Sequence, residues 1–576
     1  MGVNRQEGNP RLRPYLPSIV LMSTVLGTFF MKDFHGYITA NHCERLHRLL
    51  AKERVKQGAK QKLGRERKKE IQQIMPSRNK WLRLRQSIRC RDMSIETENI
   101  LSICKTIRSD IRRYGTGSPE APDYLARLTD FTSSIADIAS GKNTSAFSNS
   151  DFSIIPKFKD DDGPDAIYRP LCVYNNLKTK ILVSAASAYL TQAFDPYLHD
   201  EILSYRPRRT YHGKSAITDG NYAIKAIKEY IHRQGRKEIY VAECDIQKFF
   251  DIINHDVVLE CFDRLAQKAQ IPDYGQVRGV LKAYLDSYGF VPDVLSLNDK
   301  ESYWNGPRKL HKGPVKGRCL FKWVNEADFL QAYSKDGFAA KRDTLGVPQG
   351  GALSCVISNV VLNDVDQAIL AEPDPDRLFI RYGDDIILMH TDREKCEELL
   401  EKYKQSLLQH KLIFHRFEDF SALKDGEKNT KKFWKGKSKP VFLWGPGEGN
   451  ASEWIGFVGY EIHRKGHTRL RLSTLDKKFS GINRKYHKCL NGKRLPFETQ
   501  IERAIERIES LPESIAKFSE LEPNPHLAHQ LRRLDKFRYR KLEKLDTKLS
   551  TRYGRKVKLK ERFERMPEKS FFESVE

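Results

Sequence analysis

Leu378-Phe379-Ile380-Arg381-Tyr382-Gly383-Asp384-Asp385-Ile386-Ile387-Leu388 reads as two short apolar arms meeting at a Gly-Asp-Asp turn. That pattern predicts a β-hairpin over Leu378–Leu388 with two adjacent carboxylates at its tip. Neighbours in an extended chain point to opposite faces, so the two cannot contribute equally to one site. Asp384 is assigned the leading role and Asp385 the weaker or outer one. An Asp-Asp turn by itself is most often an ordinary solvated hairpin, so its meaning depends on what else the chain supplies.

Working outward, Ile239-Tyr240-Val241-Ala242 is an apolar run that ends at Asp245. This predicts a strand over Glu238–Asp245 with a carboxylate at its end. Carboxylates converging from separate strands are the hard oxygen donors that magnesium prefers. Phosphoryl transfer to a hydroxyl uses two such cations about 3.5–4 Å apart. Between these aspartates lies Gly346-Val347-Pro348-Gln349-Gly350-Gly351-Ala352-Leu353-Ser354, a glycine-rich loop leading into a helix over Cys355–Leu370. Further helices are predicted over Ile95–Arg113, Leu177–Phe194, Asp256–Gln270 and Cys396–His410, and two strands within Phe442–Ile462.

Asp245-Ile246-Gln247-Lys248-Phe249-Phe250, the glycine-rich loop and Tyr382-Gly383-Asp384-Asp385 resemble, in order and character, the palm motifs of reverse transcriptases. The resemblance is to the bacterial branch that includes group II intron enzymes. Ile155-Pro156-Lys157 with Arg169-Pro170-Leu171 resembles its fingers motif. Phe194-Asp195-Pro196, Ser204-Tyr205-Arg206-Pro207, Asn254-His255 and Phe457-Val458-Gly459-Tyr460 extend the match, which spans about residues 154–460. The resemblance implies an RNA-dependent DNA polymerase with catalytic Asp245, Asp384 and Asp385. The metal set is Asp245, Ile246, Asp384 and Asp385, holding two Mg ions with Mn as a substitute. Lys157 and Arg169 would meet the triphosphate, as paired cations suit phosphate oxygens. Phe249, Phe250, Gln349 and Gly350 complete the nucleotide pocket, with Phe250 beneath the sugar excluding a 2′-hydroxyl. Gly350 and Gly351 allow close backbone approach, and Asn359 is either a support of that pocket or a satisfied polar helix residue. Phe457, Val458, Gly459 and Tyr460 correspond to the primer grip.

Several residues depart from the branch pattern. Cys355 stands where a proline is usual, and Gly383 where alanine is common. The lysine expected after the aspartate pair is not evident around Leu412–Asp419. Tyr303–Trp323, rich in Trp, Lys and Gly, looks like an insertion. No Cys/His endonuclease module follows. What remains resembles the stand-alone defence-associated, or abortive-infection, reverse transcriptases.

Composition agrees with a polyanionic partner. Lys and Arg number 101 against 75 Asp and Glu, a formal charge of +26, and neutralising phosphates releases counterions. Between Lys52 and Arg91 there are fifteen Lys/Arg and three Glu. Arg65, Arg67, Lys68, Lys69, Arg83 and Arg85 are the candidate RNA-binding residues of this arm. A second basic group, Arg532, Arg533, Lys536, Arg538 and Arg540, is expected to grip a duplex or structured RNA. Tyr539 and Tyr553, among these cations, are candidate priming hydroxyls. The ten cysteines form no C-x-x-C pair, which disfavours zinc and fits reduced thiols. The apolar run within Ile19–Met31 is too short for a membrane span, and a cytoplasmic location is expected.

The expected fold is an α+β right-hand polymerase of fingers, palm and thumb, with basic, mostly helical N- and C-terminal extensions. Its boundaries are a basic N-terminal region at 1–150, fingers at 151–244, palm at 245–470 with an insertion near 285–340, helical thumb at 471–550 and basic tail at 551–576. The partners are an RNA template (a cognate non-coding RNA), a DNA product and dNTPs. Homo-oligomerisation is left open. The rival activities are an RNA-dependent RNA polymerase, since Gly-Asp-Asp is common there, and a maturase-like or non-catalytic RNA-binding protein.

Overall fold

The computed structural model describes residues 32–55, 62–85, 95–115, 118–141, 152–160, 165–206, 219–310, 317–323, 325–334, 345–418, 436–446, 451–490, 496–509 and 524–564. The apolar run of Ile19–Met31, most of the polar stretch 140–150, Pro207, Asp419 and the end of the tail lie outside them. The chain divides into two compact units.

The first unit comprises residues up to 144, apart from 61–63, together with 270–279. It contains helices α1 (Phe34–Val55), α2 (Lys62–Ile74), α3 (Ile95–Tyr114) and α4 (Asp123–Ala139). Leu125, Leu128, Thr132 and Ile135 recur at helical spacing and form a buried stripe on α4. Ile103 and Ile107 of α3 and Phe34, Ile38, Leu46 and Leu50 of α1 are buried as well, and α1 packs against both α3 and α4. The basic N-terminal region is mostly helical among its described residues. It holds α1, broken at Ala40–Cys43, then α2, a short turn at Arg78–Lys80 and an extended segment at 81–85.

The second unit is mixed helix and sheet. Strands β1 (Phe152–Asp160) and β2 (Ala166–Tyr174) pair antiparallel, followed by α5 (Leu177–Phe194) and α6 (Asp219–Gln234). Strand β3 (Tyr240–Asp245) leads through the short α7 (Phe249–Ile252) to α8 (His255–Lys268) and α9 (Tyr274–Asp286), the last shared between the units. The segment that resembles an insertion supplies α10 (Glu301–Leu310), β4 (Cys319–Phe321) and α11 (Glu326–Ser334). β4 adds to β2 in parallel, with Ala166 opposite Cys319 and Tyr168 opposite Phe321. Trp304, 1% exposed, packs between the rings of Tyr168 and Phe321. The segment is thus part of the first sheet and its core.

Then come α12 (Ala352–Leu370), the hairpin β5 (Arg377–Tyr382) and β6 (Asp385–His390), α13 (Arg393–Gln409) and strands β7 (Lys439–Trp444) and β8 (Ala451–Ser452). The second sheet has the order β5-β6-β3-β7-β8, placing β3 at its centre. α12 is apolar and long enough to cross a membrane, but it is largely buried, packing on α5, α8 and α13. Strands β9 (Trp454–Phe457), β10 (Tyr460–His463) and β11 (Thr468–Leu470) form a third sheet. Two strands are expected within Phe442–Ile462, and the chain makes four shorter pieces. Gly445-Pro446 interrupts the ladder after β7, because proline has no N–H to donate. Val458 and Gly459, both at positive φ, turn β9 into β10.

Helices α14 (Leu472–Leu490), α15 (Phe497–Glu509), α16 (Pro525–Tyr553) and α17 (Leu559–Glu564) complete the unit. Tyr486, Leu490, Leu542, Leu545 and Leu549 form their core, and Tyr539 and Tyr553 pack against it. Arg538 is 3% exposed and paired with Asp535 at 2.7 Å, so burial removes it from the cationic surface proposed for this helix. Arg532, Arg533, Lys536 and Arg540 are exposed.

Candidate active site

The carboxylates meet at one end of the central sheet. Asp245 closes β3 and lies directly opposite Asp385, the first residue of β6. Cross-strand partners share a face, so these two side chains stand on the same side of the sheet. Tyr382 pairs with Asp385, which leaves Gly383 and Asp384 as a two-residue turn. Asp384 is therefore a turn residue, and strand alternation does not set its direction. The Ile246 N–H donates to the Asp384 carbonyl at 3.4 Å, tying the turn to the end of β3.

A polar network holds the turn from behind. Gly383 adopts φ +71° and its N–H donates to Ser204 Oγ at 2.6 Å. Arg381, fully buried, donates to the Gly383 carbonyl and to Asn359 Oδ1, each at 3.2 Å, and pairs with Asp366 at 2.8 Å. Asn359 in turn donates to the Ser204 carbonyl at 3.0 Å. Of the two readings for Asn359, the structure thus gives the satisfied polar residue, supporting the hairpin tip. Sequence reasoning misses Arg381 and Asp366, and it names Ser204 only within a motif, without its bond to the turn. An arginine within an apolar arm is the signal for the first, since a buried cation needs a carboxylate partner.

Asp245 is 3% exposed and well held. Its N–H donates to Ser438 Oγ at 3.1 Å and its carbonyl accepts from the His415 N–H at 2.9 Å. Lys437 places its ammonium on the Asp245 carboxylate, and His415 Nε2 is 3.9 Å away. Lys437 is a cation absent from the sequence reading, which looks for a lysine around Leu412–Asp419. It sits about twenty residues later, in Lys435-Gly436-Lys437-Ser438-Lys439. Glu243, two residues before Asp245 on the same strand face, is buried against Lys439 at 2.5 Å.

Three carboxylates this close resist ionising together. Burial and then the Asp245 charge raise the Asp384 carboxyl, while Lys437 and Arg169 oppose the rise. Asp385 is pushed up to about 7 by burial, then by Asp245 and Asp384, with Lys437 again opposing. Asp385 keeps a solvent-exposed edge although protein surrounds it closely enough for burial to lead. Such a cluster is short of positive charge, and its donors are all hard oxygens, which fits magnesium.

On the first sheet of this unit, Lys157 and Arg169 are direct cross-strand partners, both exposed and on one face. Arg169 is near enough to act on Asp384. The glycine-rich loop is tied to both sheets' surroundings. The Cys172 N–H donates to the Gln349 carbonyl at 2.9 Å, and the Val347 N–H to the Phe250 carbonyl at 2.8 Å. The Gln349 side chain donates to Asp251 Oδ1 at 2.6 Å, and Gly350 is exposed at φ +95°. A Cβ on Gly351 would lie 1.9 Å from Tyr284 Oη, so the backbone passes that ring too closely for any other residue. Asn254 caps α8, while His255 Nε2 donates to the Gly346 carbonyl at 2.6 Å. That pair therefore braces the loop.

Phe249 and Phe250 separate. Phe249 is 2% exposed, with its ring 5.3 Å from that of Phe250 in an edge contact. Burial places Phe249 in the core, away from the nucleotide contact expected of it, whereas Phe250 is half-buried. The primer-grip segment divides likewise. Phe457 and Tyr460 are core residues, the latter donating to Asn221 Oδ1 at 2.8 Å, and only Val458 and Gly459 reach the surface. Of the candidate RNA-binding residues, the side chains of Arg65 and Lys68 lie outside the described residues. Lys69, Arg83 and Arg85 are exposed and Arg67 is half-buried, all in the first unit.

Away from the aspartates, Cys261, Asp364 and His410 bring ligand atoms within 4.8 Å of one another. Arg264 already bridges Asp364 at 2.7 Å and the Cys261 sulfur at 3.3 Å.

A central, mostly antiparallel sheet with three carboxylates at one end, and Arg169 of the β1–β2 pair near enough to act on one of them, suits a nucleotidyltransferase of the polymerase class. Residues 155–416 match the family described as reverse transcriptase (RNA-dependent DNA polymerase). The chain thus carries a reverse transcriptase domain, with the right-hand, mixed helix-and-sheet palm of that class, and is an RNA-directed DNA polymerase. Among solved structures, apo telomerase from Candida tropicalis aligns at 11% identity over 92% of this chain and 87% of its own, with a TM-score of 0.33. Telomerase from Candida albicans in complex with a TWJ fragment of telomeric RNA aligns at 12% identity over 78% and 69%, with a TM-score of 0.29. Superpositions this loose carry no argument about this chain. No curated protein sequence matches it.

Proposed function

We propose that this enzyme copies RNA into DNA with two magnesium ions held by Asp245, Asp384, Asp385 and the Ile246 carbonyl, Asp384 leading. The observation that carries this reading is the meeting of Asp245, Asp384 and Asp385 at one end of the central sheet, with Lys437 on the Asp245 carboxylate. The ions, when bound, would activate the primer hydroxyl and clamp the triphosphate. The protein's own part is positional. Lys157 and Arg169 offer the triphosphate a paired cationic face. Gly350 exposes backbone where the nucleotide enters, and Phe250 sets a hydrophobic limit at the sugar. Gln349 orients against Asp251. Lys437 is a fixed positive charge beside the cluster.

Primer extension on poly(rA) with oligo(dT), in Mg²⁺, tests the reading. Wild type incorporates dTTP and discriminates against UTP, and Asp384→Asn does not incorporate. Preference for ribonucleotides would instead give the RNA-dependent RNA polymerase.

The biological setting we infer is bacterial antiphage defence, in the cytoplasm, with one cognate non-coding RNA as template. The support is the resemblance of the fingers and palm motifs to stand-alone defence-associated enzymes, and the charge of +26 that suits a bound RNA. Equal plaque counts on cells carrying wild type or Asp384→Asn would remove the defence role.

A further inference from the structure

In the first unit, α3 and the extended segment 81–85 enclose a groove of about 540 Å³. The segment is fastened to the helix at two points. The Leu82 N–H donates to Thr106 Oγ1 at 2.9 Å, and Lys105 Nζ donates to the Arg83 carbonyl at 2.6 Å. Leu82, Leu84 and Leu101 give the groove an apolar lining, and Leu82 stays 39% exposed. Arg85, Lys105, Arg108, Arg112 and Arg113 line it with charge of one sign.

We propose that this groove binds a single strand of RNA along its sugar–phosphate backbone. Lys105, Arg108 and Arg112 recur at i, i+3 and i+7, which aligns them on one face of α3. Their steps of roughly 4.5 and 6 Å along the axis make a row of cations, suited to a linear polyanion and not to one phosphate. Helix-dipole complementarity accounts for Arg112 and Arg113 in the last turn of α3, but not for Lys105 in mid-helix or Arg85 on the opposite wall. Glu44 pairs with Arg108 at 3.6 Å, both exposed, so that contact is weak and exchangeable. An exposed leucine beside such cations provides the apolar surface that bases or riboses seek while the phosphates are neutralised. An anionic membrane would meet the same charges, but a concave wall with its apolar residue inside the groove fits a strand better than a plane.

The choice of RNA rests on the polymerase reading, and the experiment keeps the two apart. Full-length wild type and the triple variant Arg85→Gln/Arg112→Gln/Arg113→Gln are titrated with labelled single-stranded RNA from about 50 to about 200 mM salt. The log–log slope should become shallower by about 0.7 for each lost phosphate contact, roughly 2 in all, with weaker binding throughout. The matching triple of lysines should keep the wild-type slope, which excludes misfolding as the cause. RNA carrying 4-thiouridine should crosslink to peptides holding residues 82–85 or 101–113 in wild type and lose those crosslinks in the glutamine variant. An unchanged slope overturns the proposal, as does a variant that loses anionic vesicles while keeping RNA. If wild type binds RNA in this way but incorporates no dNTP, the polymerase reading fails and the groove stands.

Discussion

Lys437 reaches the Asp245 carboxylate across 192 residues of sequence, from the strand edge opposite the one that brings Asp385. Burial lowers the Lys437 ammonium, but the bond to Asp245 and the charges of Asp385 and Asp384 raise it on balance. It is therefore a fixed positive charge in a cluster that needs one. Lys437→Met should slow single-turnover incorporation by about 100- to 1,000-fold, the scale of removing one preorganised hydrogen-bond donor. It should also move the acid limb of the pH–rate profile to higher pH, since the carboxylates lose a stabilising cation. An unmoved acid limb would show that Lys437 does not act on the cluster.

The aspartates should differ in consequence. Asp245→Asn and Asp384→Asn should each abolish incorporation while leaving RNA binding nearly intact, because the chemistry depends on charge at the metal site. Asp385→Asn should retain measurable activity. Equal defects for Asp384 and Asp385, with equal melting temperatures, would remove the unequal roles assigned to them.

Stability should depend on pH in an unusual direction for a carboxylate. Asp385, near 7 in the folded chain, lies above an ordinary aspartate at about 4. Between those values the folded state keeps a proton that the unfolded chain has released, so stability falls as pH rises. Metal-free protein should melt at progressively lower temperature from about pH 4 to about pH 7 on this account. Asp385→Asn should flatten that slope, and saturating Mg²⁺ should offset it. A wild-type slope in the Asn variant would place the effect elsewhere.

Phe250→Ala should admit ribonucleotides by removing the bulk that meets a 2′-hydroxyl, with modest loss of dNTP use. Phe249→Ala should instead cost about 3–5 kcal/mol of stability as a buried aromatic and leave sugar choice unchanged. Competition assays with dTTP and UTP, paired with chemical denaturation, separate the two. Unchanged discrimination in the Phe250 variant would mean another side chain guards the sugar.

Gly351→Ala should destabilise by about 1–3 kcal/mol, because its methyl collides with the Tyr284 hydroxyl. Tyr284→Phe in the same chain should restore part of that loss by removing the colliding atom. Denaturation midpoints of the single and double variants form the check, and additive losses would contradict the geometry.

The sequence made the hairpin at 378–388 legible because apolar arms and a glycine turn are local signals, and Asp245 because a strand runs into it. The Lys157–Arg169 pairing was legible as two motifs, though their register needed the sheet. Other features were hidden for physical reasons. Lys437 is near Asp245 only after β7 joins β3, a long-range pairing that no local pattern carries. Arg381, Asp366, Asn359 and Ser204 form a polar network from three separate places in the chain, since Asn359 and Asp366 share α12. Which of Phe249 and Phe250 faces inward depends on the turn into α7, where Lys248 takes φ +53°. Cys319–Phe321 is too short to announce itself as a strand, and only its pairing with β2 makes it one.

That last pairing bears on how the chain matures. Ala166 and Cys319 stand side by side although 153 residues separate them. At the usual 5–20 residues per second, a ribosome needs roughly 8–30 s to deliver the second after the first. Through that interval β2 has an open edge, with N–H and C=O groups available to any extended chain nearby. Strand β1 has already claimed the other edge, so the vulnerability is confined to one side. The sheet bearing Lys157 and Arg169 is therefore complete only after the chain has passed Phe321. Truncations upstream of that residue leave this edge of β2 open, while the edges of β3 wait longer still, for β6 and β7.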